Sequence, residues 1–247
     1  MTSPHASGAV LRVDGPSGAG PRVKICGLVR QQDAECAGRA GAAFVGSIFA
    51  GGPRQVDAAV ANRNNAAARV AARNAGRLPP QAVAVVGKQL PFEVARLAAS
   101  AGADVVQLHA DPDPDAVWVM RRHCAGPVWA ALRVEGTALP PHAAELFEAA
   151  DAVVLDARVA GALGGTGVAL PWAELADAVA EVRRGRMLVL AGGLRPGTVA
   201  EAVALLAPDV VDVSSGVESA PGVKRHAAVL SFVDEAARAR PAAGRPA

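Results

Sequence analysis

One cysteine lies at the end of a predicted strand, where a reactive group would be accessible. Cys26 closes the short run Val23–Cys26, and Gly27 follows at once, which is typical of a strand that turns toward a helix. A thiolate there could act as nucleophile, metal ligand or general base, and the residue could equally be an inert core thiol. Lys24 has the same strand parity, so we expect a neighbouring cation that lowers the pKa of the thiol.

A carboxylate occupies a comparable position later in the chain. Asp156 ends the apolar run Val153–Asp156, and residues 157–168 then form a glycine-rich stretch in place of an immediate helix. An aspartate at this point is either an acid catalyst or a helix cap. The glycine-rich stretch argues against capping, and it is typical of a mobile cover over a site.

Two turns rich in glycine and serine could bind a phosphate. Gly192 and Gly193 follow one late predicted strand, and Ser214, Ser215 and Gly216 follow the next. Glycines let backbone N–H groups approach a phosphate, and a short helix beginning at Gly216 would add its positive end. Either turn alone could be a simple strand–helix connection. Their occurrence on two successive strands favours a phosphate site.

These groups all fall at the ends of apolar runs that alternate with helical patterns. The runs are apolar on both parities, as expected for parallel strands covered on both faces. The predicted strands are Val23–Cys26, Ala43–Phe49, Ala82–Val86, Asp104–His109, Val128–Val134, Ala152–Asp156, Met187–Ala191 and Val210–Ser214. The clearest predicted helices are Asp33–Ala40, Pro91–Ser100, Asp113–Cys124, Trp172–Arg183, Thr198–Leu206 and Val223–Ala239.

Eight strand–helix units in 247 residues predict an α/β protein with a single (β/α)8 TIM barrel. The barrel would span residues 22–239, between disordered tails at residues 1–21 and 240–247. The alternative is an open doubly wound sheet, but the turn after the first strand has no GxGxxG motif. Asp57–Leu78 is the weakest unit, because its asparagines lower helix propensity.

Composition limits the partners. The chain has 25 Lys and Arg against 23 Asp and Glu, and only 3% aromatic residues, so neither nucleic acid nor a membrane surface is an expected partner. Three cysteines without CxxC spacing predict neither a disulfide framework nor a zinc site, and Cys36 and Cys124 fall in helical patterns as core residues. The first residues lack the apolar stretch of a signal peptide, so we expect a cytoplasmic protein.

Taken in order along the chain, the motifs resemble those of phosphoribosylanthranilate isomerases. The matching segments are Lys24–Leu28, Phe44–Gly46 with Pro53–Val56, Val106–His109, Leu155–Ala157, Gly164–Gly167, Leu190–Leu194, and Val211–Ser219 with Pro221–Lys224. They run from about Val23 to Ala236, nearly the whole chain. Seven ordered segments make the resemblance specific, although each alone is weak.

The resemblance implies an Amadori rearrangement in tryptophan biosynthesis that needs no metal and no organic cofactor. By analogy, Asp156 is the general acid that opens the ribose ring, and Cys26 is the general base. Arg54 binds the anthranilate carboxylate. The phosphate lies on two segments, Gly192-Gly193 and Ser214-Ser215-Gly216. The implied partner is a phosphorylated small molecule, and the expected state is a monomer or weak homodimer.

Three other functions remain as alternatives. The histidine-pathway isomerase barrel uses carboxylates at strands 1 and 5, whereas these predicted strands end at Cys26 and near Arg133. Indole-glycerol-phosphate synthase is disfavoured by the scarcity of lysine, although Lys88 ends the third predicted strand. A non-catalytic phosphate-binding barrel would keep the two late turns without needing the acid and the base.

Overall fold

A ring of eight parallel strands organises the computed structural model, which describes residues 20–157 and 170–242. Each strand pairs with the next, and the eighth closes the ring on the first. The strands are β1 (Arg22–Cys26), β2 (Phe44–Ile48), β3 (Gln81–Val86), β4 (Val105–Leu108), β5 (Val128–Val134), β6 (Ala152–Ala157), β7 (Leu188–Leu190) and β8 (Val210–Val213). The (β/α)8 prediction is confirmed, and the open-sheet alternative is excluded.

One helix follows each strand and covers the outside of the ring. The helices are α1 (Gln31–Ala40), α2 (Ala58–Asn74), α3 (Pro91–Ala101), α4 (Pro114–Arg121), α5 (Ala143–Ala149), α6 (Trp172–Arg183), α7 (Val199–Leu206) and α8 (His226–Arg238). Between β8 and α8 lie a 3-10 helix at Ser215–Val217 and a hairpin of β9 (Glu218–Ala220) and β10 (Val223–Lys224). The predicted helix Val223–Ala239 therefore begins too early, because Gly222 at φ 77° reverses the chain into the hairpin.

Two hydrophobic layers stabilise this arrangement. Inside the ring, Phe44 and Trp129 pack edge to face with centroids 4.9 Å apart, and valines and alanines of the other strands fill the remaining space. The second layer joins the outer strand faces to the helices and is larger. Full coverage of both strand faces explains why the strands are apolar on both parities.

The asparagine-rich segment forms the long helix α2, so its low helix propensity was misleading. Asp57 caps the helix by accepting a hydrogen bond from the backbone N–H of Val60 at 2.7 Å. The buried Asn64 donates to the carbonyl of Leu28 at 3.1 Å, and the buried Asn65 donates to that of Ala101 at 2.9 Å. These asparagines satisfy carbonyls at the ends of neighbouring elements, and this tertiary bonding overrides local propensity.

Several segments predicted from the sequence lie outside the residues that the structure describes. The predicted tails lie almost wholly in residues 1–19 and 243–247, and the glycine-rich segment Gly164–Gly167 in residues 158–169, all outside the described residues.

Cys124 follows α4 and is half-buried, so its placement inside a helix was wrong, whereas Cys36 is buried in α1 as expected. Within the described ranges, no helix combines the length and hydropathy needed to cross a membrane.

Candidate active site

The Cys26 thiol lies at the carboxyl end of β1 on the inner side of the ring. It packs with the inner hydrophobic layer and is only 7% exposed. Gly46 is its register partner on β2, and a Cβ on Gly46 would stand 2.8 Å from the sulfur. Glycine at this position therefore leaves the space that the thiol occupies.

A buried ion pair lies beside the thiol. Lys24 and Asp212 are register partners across the β1–β8 seam, and Lys24 Nζ donates to Asp212 Oδ2 at 2.6 Å. Asp212 Oδ1 is buried with no hydrogen-bond partner among the described residues. Sequence reasoning noted Lys24 but missed Asp212. The signal was an acidic residue inside an otherwise apolar strand, opposite a lysine.

This environment does not lower the pKa of the thiol as expected. Burial raises the pKa of Cys26, and this effect exceeds the opposing influence of the Lys24 ammonium. The Asp212 carboxylate offsets part of that positive charge, while Lys224 adds a further cation that favours the thiolate. The cation next to Cys26 is visible in the sequence, whereas the desolvation of the thiol and the carboxylate paired with Lys24 depend on the folded structure.

Asp156 lies near the end of β6 and is buried at the same end of the barrel as Cys26. We call this end, formed by the carboxyl ends of the strands, the barrel mouth. Desolvation is the main cause that raises its pKa to about 6, and the Asp212 carboxylate adds to the effect. Its Oδ1 accepts a hydrogen bond from the Ala157 N–H at 2.8 Å. Gly192, at φ 76°, packs so closely that a Cβ there would lie 3.0 Å from Oδ1.

His109 contacts this carboxyl, although its sequence position alone was not persuasive. His109 Nε2 lies 3.5 Å from Asp156 Oδ2, and both side chains are buried. The amide nitrogen of Gln107 lies 3.3 Å from His109 Nδ1, so the imidazole lies between the Gln107 amide and the Asp156 carboxyl. The alternation of Gln107 and His109 along one strand face was the available signal.

Arg54 reaches the mouth from the loop after β2 and is paired with a carboxylate. Its Nε and Nη2 donate to Glu218 Oε1 and Oε2 at 2.9 and 2.7 Å. Glu218 also accepts from Lys224 Nζ at 2.8 Å. Sequence reasoning identified Arg54 but assigned no role to Glu218 or Lys224.

The two glycine–serine turns lie against each other. A Cβ on Gly216 would collide with the carbonyl oxygen of Leu194, so the backbones of the β7 and β8 turns touch there. Gly192 and Gly193 both have positive φ, at 76° and 72°. Lys224 Nζ donates to the carbonyl of Ser214 at 3.1 Å. N–H-rich turns beside a buried ammonium group are suited to hold a phosphate.

Most predicted site residues therefore meet at one end of the barrel. Cys26 and Asp156 both feel the charges of Lys24 and Asp212. Among the described residues, no group of three or more His, Cys, Asp or Glu side chains has the geometry of a metal site. The arrangement is suited to proton transfer on a small anionic ligand.

Comparison with known proteins agrees with this geometry. Residues 23–235 match the family model of N-(5'phosphoribosyl)anthranilate (PRA) isomerase. The N-(5'-phosphoribosyl)anthranilate isomerase of Geobacter sp. strain M21 is 40% identical over 223 residues, covering 87% of this chain and 97% of the relative.

Solved structures give the same result. The phosphoribosyl anthranilate isomerase of Thermotoga maritima superposes with a TM-score of 0.74 at 28% identity, covering 87% of this chain and 98% of that one. Another isomerase structure, in complex with reduced 1-(o-carboxyphenylamino)-1-deoxyribulose 5-phosphate, has a TM-score of 0.72 at 27% identity, with coverage of 87% and 98%. The chain therefore belongs to the phosphoribosylanthranilate isomerase family, the isomerases of tryptophan biosynthesis.

Proposed function

We propose that this barrel mouth performs the Amadori rearrangement of N-(5-phosphoribosyl)anthranilate with Cys26 as general base and Asp156 as general acid. The product is 1-(2-carboxyphenylamino)-1-deoxyribulose 5-phosphate. The observation that carries these roles is the buried Asp156 carboxyl, whose pKa is raised to about 6. A carboxyl that retains a proton near neutral pH can deliver it to a leaving oxygen.

The reaction requires one proton to be delivered and another to be removed. Asp156 protonates the ribose ring oxygen as its bond to C1′ breaks, and the anilino nitrogen lone pair forms the C1′–N double bond. The Cys26 thiolate then takes the C2′ proton, and the released electron pair forms the enolamine double bond as the nitrogen becomes neutral. Tautomerisation of the enolamine gives the C2′ ketone, so no atom is gained or lost.

The two ends of the substrate are anionic, and the mouth offers a cationic or N–H-rich group for each. Arg54 binds the anthranilate carboxylate, and the phosphate lies on Gly192, Gly193 and the Ser214–Gly216 turn. The buried Lys224 supports this assignment, because it places positive charge next to Ser214. The pair Lys24 and Asp212 lies beside Cys26, and its charges influence the pKa values of both Cys26 and Asp156.

The roles are tested with Cys26→Ala and Asp156→Asn. Turnover, followed as the loss of phosphoribosylanthranilate fluorescence, should fall by at least about 10²-fold in each variant, because each loses a proton-transfer group. Binding of the reduced product analogue should persist. Cys36→Ala is the matched control, since it removes a buried thiol of α1 outside the mouth. Near wild-type turnover in either site variant would remove the proposed mechanism.

Two coarser expectations are checked with the same protein. We infer a monomer or weak homodimer, which sedimentation velocity over a range of concentrations measures directly. The histidine-pathway substrate, assayed in parallel, separates a dedicated isomerase from a dual-substrate one. We expect no turnover of it, because β1 ends in a thiol and β5 carries Arg133 in place of carboxylates.

A further inference from the structure

Glu218 connects two cations at the barrel mouth. It accepts hydrogen bonds from Nε and Nη2 of Arg54 and a further one from Lys224 Nζ at 2.8 Å. The side chains are 12% exposed for Arg54 and 5% for Glu218, and that of Lys224 is fully buried. A carboxylate so enclosed cannot move into water without leaving two buried cations unpaired.

The orientation of this contact decides which edge of Arg54 remains for a ligand. Glu218 occupies the Nε–Nη2 edge, and Nη1 has no hydrogen-bond partner among the described residues. A guanidinium carries five N–H donors in a rigid plane, so the Nη1–Nη2 edge can still bind a second carboxylate with two bonds. The contact of Glu218 with the Nε–Nη2 edge therefore fixes the direction in which the Nη1–Nη2 edge of Arg54 points.

Packing against Gly27 restricts the Arg54 stem on one side. A Cβ on Gly27 would lie 2.8 Å from Arg54 Cδ and 2.9 Å from Ser214 Oγ, so the arginine stem lies close against the turn after β1. Lys224 in turn is held by the carbonyl of Ser214 at 3.1 Å. Glu218 is therefore anchored on the β8 turn through Lys224, and it transmits that anchoring to Arg54.

We propose that Glu218 is a positioning residue that aims the free edge of Arg54 at the carboxylate of the substrate's aromatic ring. This inference rests on the proposed function, in which Arg54 binds that carboxylate. The opposite role would be competition, with Glu218 occupying Arg54 until substrate displaces it. Burial of Glu218 and its further bond to Lys224 favour positioning, because displacement would leave a buried carboxylate paired with only one cation.

Positioning and competition predict opposite changes in KM for Glu218→Gln, a substitution that keeps the shape of the side chain and removes its charge. Positioning predicts that KM rises about tenfold to a hundredfold, the range for losing one charge-assisted hydrogen-bonded contact, while kcat changes less. Competition predicts a lower KM. Glu35→Gln is the matched control, because it removes a carboxylate paired with Arg39 on α1, and it should leave KM unchanged.

Binding of two reduced product analogues isolates the carboxylate from the rest of the site. One is reduced 1-(o-carboxyphenylamino)-1-deoxyribulose 5-phosphate, and the other has the same structure without the carboxyl group. We expect Glu218→Gln to weaken the first about tenfold or more and to leave the second unchanged. Equal weakening of both, or tighter binding of the first, would overturn the positioning role.

A double-mutant cycle supplies the second test. On an Arg54→Ala background, Glu218→Gln should add little further loss for the carboxylated analogue, because it acts through Arg54. Additive losses would contradict the proposal. Glu218→Asp keeps the charge on a shorter arm and should show an intermediate loss, which provides a measurement even where Glu218→Gln folds poorly. Failure of wild-type turnover alone would sink the proposed function, while analogue binding would still test Glu218.

Discussion

At the scale of single residues, the proposed acid and base have pKa values displaced in the same direction. Burial raises the pKa of Asp156 to about 6 and raises that of Cys26 above its ordinary value. Catalysis needs Asp156 protonated and Cys26 as the thiolate at the same time. Near neutral pH, this combination is therefore a minority form of the free protein. Lys24 and Lys224 favour the Cys26 thiolate and so increase the population of this form. The mouth therefore keeps a weakly populated but strongly basic sulfur.

The raised pKa of Asp156 also predicts a cost in stability. Its folded pKa of about 6 exceeds the ordinary value of 3.8, so its favourable contribution is complete below about pH 3.8 and is lost as pH rises through 6. Asp156→Asn avoids this loss. We expect the variant to be more stable than wild type above pH 6 by up to about 3 kcal/mol, at about 1.4 kcal/mol for each pKa unit.

Urea unfolding at pH 4 and pH 7.5 measures this difference, which should nearly vanish at the lower pH. Asp115→Asn, at an exposed position in the first turn of α4, is the control and should change stability little at either pH. A variant at position 156 that is less stable than wild type at pH 7.5 would contradict the desolvation argument. Greater stability with lost turnover would identify Asp156 as a residue kept for activity.

At the scale of secondary-structure elements, α2 shows that polar side chains can hold a helix to its neighbours. Asn65 reaches the carbonyl of Ala101 at the end of α3, and Asn64 reaches that of Leu28 after β1. Both side chains are buried; the acceptor Ala101 is the last residue of α3, and Leu28 lies in the loop between β1 and α1. The asparagines therefore fix the position of α2, which follows the loop that carries Arg54.

Asn65→Ala should destabilise the protein by about 1–3 kcal/mol, because it leaves the Ala101 carbonyl buried and unpaired. Asn62→Ala is the matched control on the same helix. Asn62 is exposed and donates to the carbonyl of Ser100, so its loss should change stability by less than about 0.5 kcal/mol. Equilibrium urea denaturation measures both, and equal effects would show that α2 responds only to propensity.

At the scale of the whole molecule, the ring closes where β1 meets β8, and the ion pair between Lys24 and Asp212 spans that seam. Breaking it through Lys24→Met should cost about 3–5 kcal/mol, because Asp212 then remains as a buried unpaired charge. The double variant Lys24→Met with Asp212→Leu should recover most of that stability, since an apolar pair suits the inner layer. Turnover should stay low in both variants.

Chemical denaturation distinguishes these outcomes. A single variant within about 1 kcal/mol of wild type would show that water or rearrangement relieves the charge. A double variant as unstable as the single one would show that the pair is needed for closure itself. Recovery of stability without recovery of activity would assign the pair to the chemistry of the mouth.

The alternation of strands and helices can be predicted well from the sequence, because a parallel strand buried on both faces must be apolar throughout. Each bound of the eight predicted strands therefore lies within one residue of the observed bound, and Val128–Val134 is predicted without error. The boundary before α8 was wrong, because the hairpin there depends on Gly222 and on contacts across the β9–β10 pair. Local pattern does not contain those contacts.

By itself, the sequence determined the (β/α)8 class, the family, and the strand ends at which Cys26, Asp156 and the two turns lie. Only the tertiary structure decided what surrounds them. Glu218 on Arg54, His109 on Asp156 and Asp212 on Lys24 are contacts between residues far apart in the chain. The physical reason is that a pKa and an ion pair depend on burial and on through-space distance, and neither quantity exists until the ring closes.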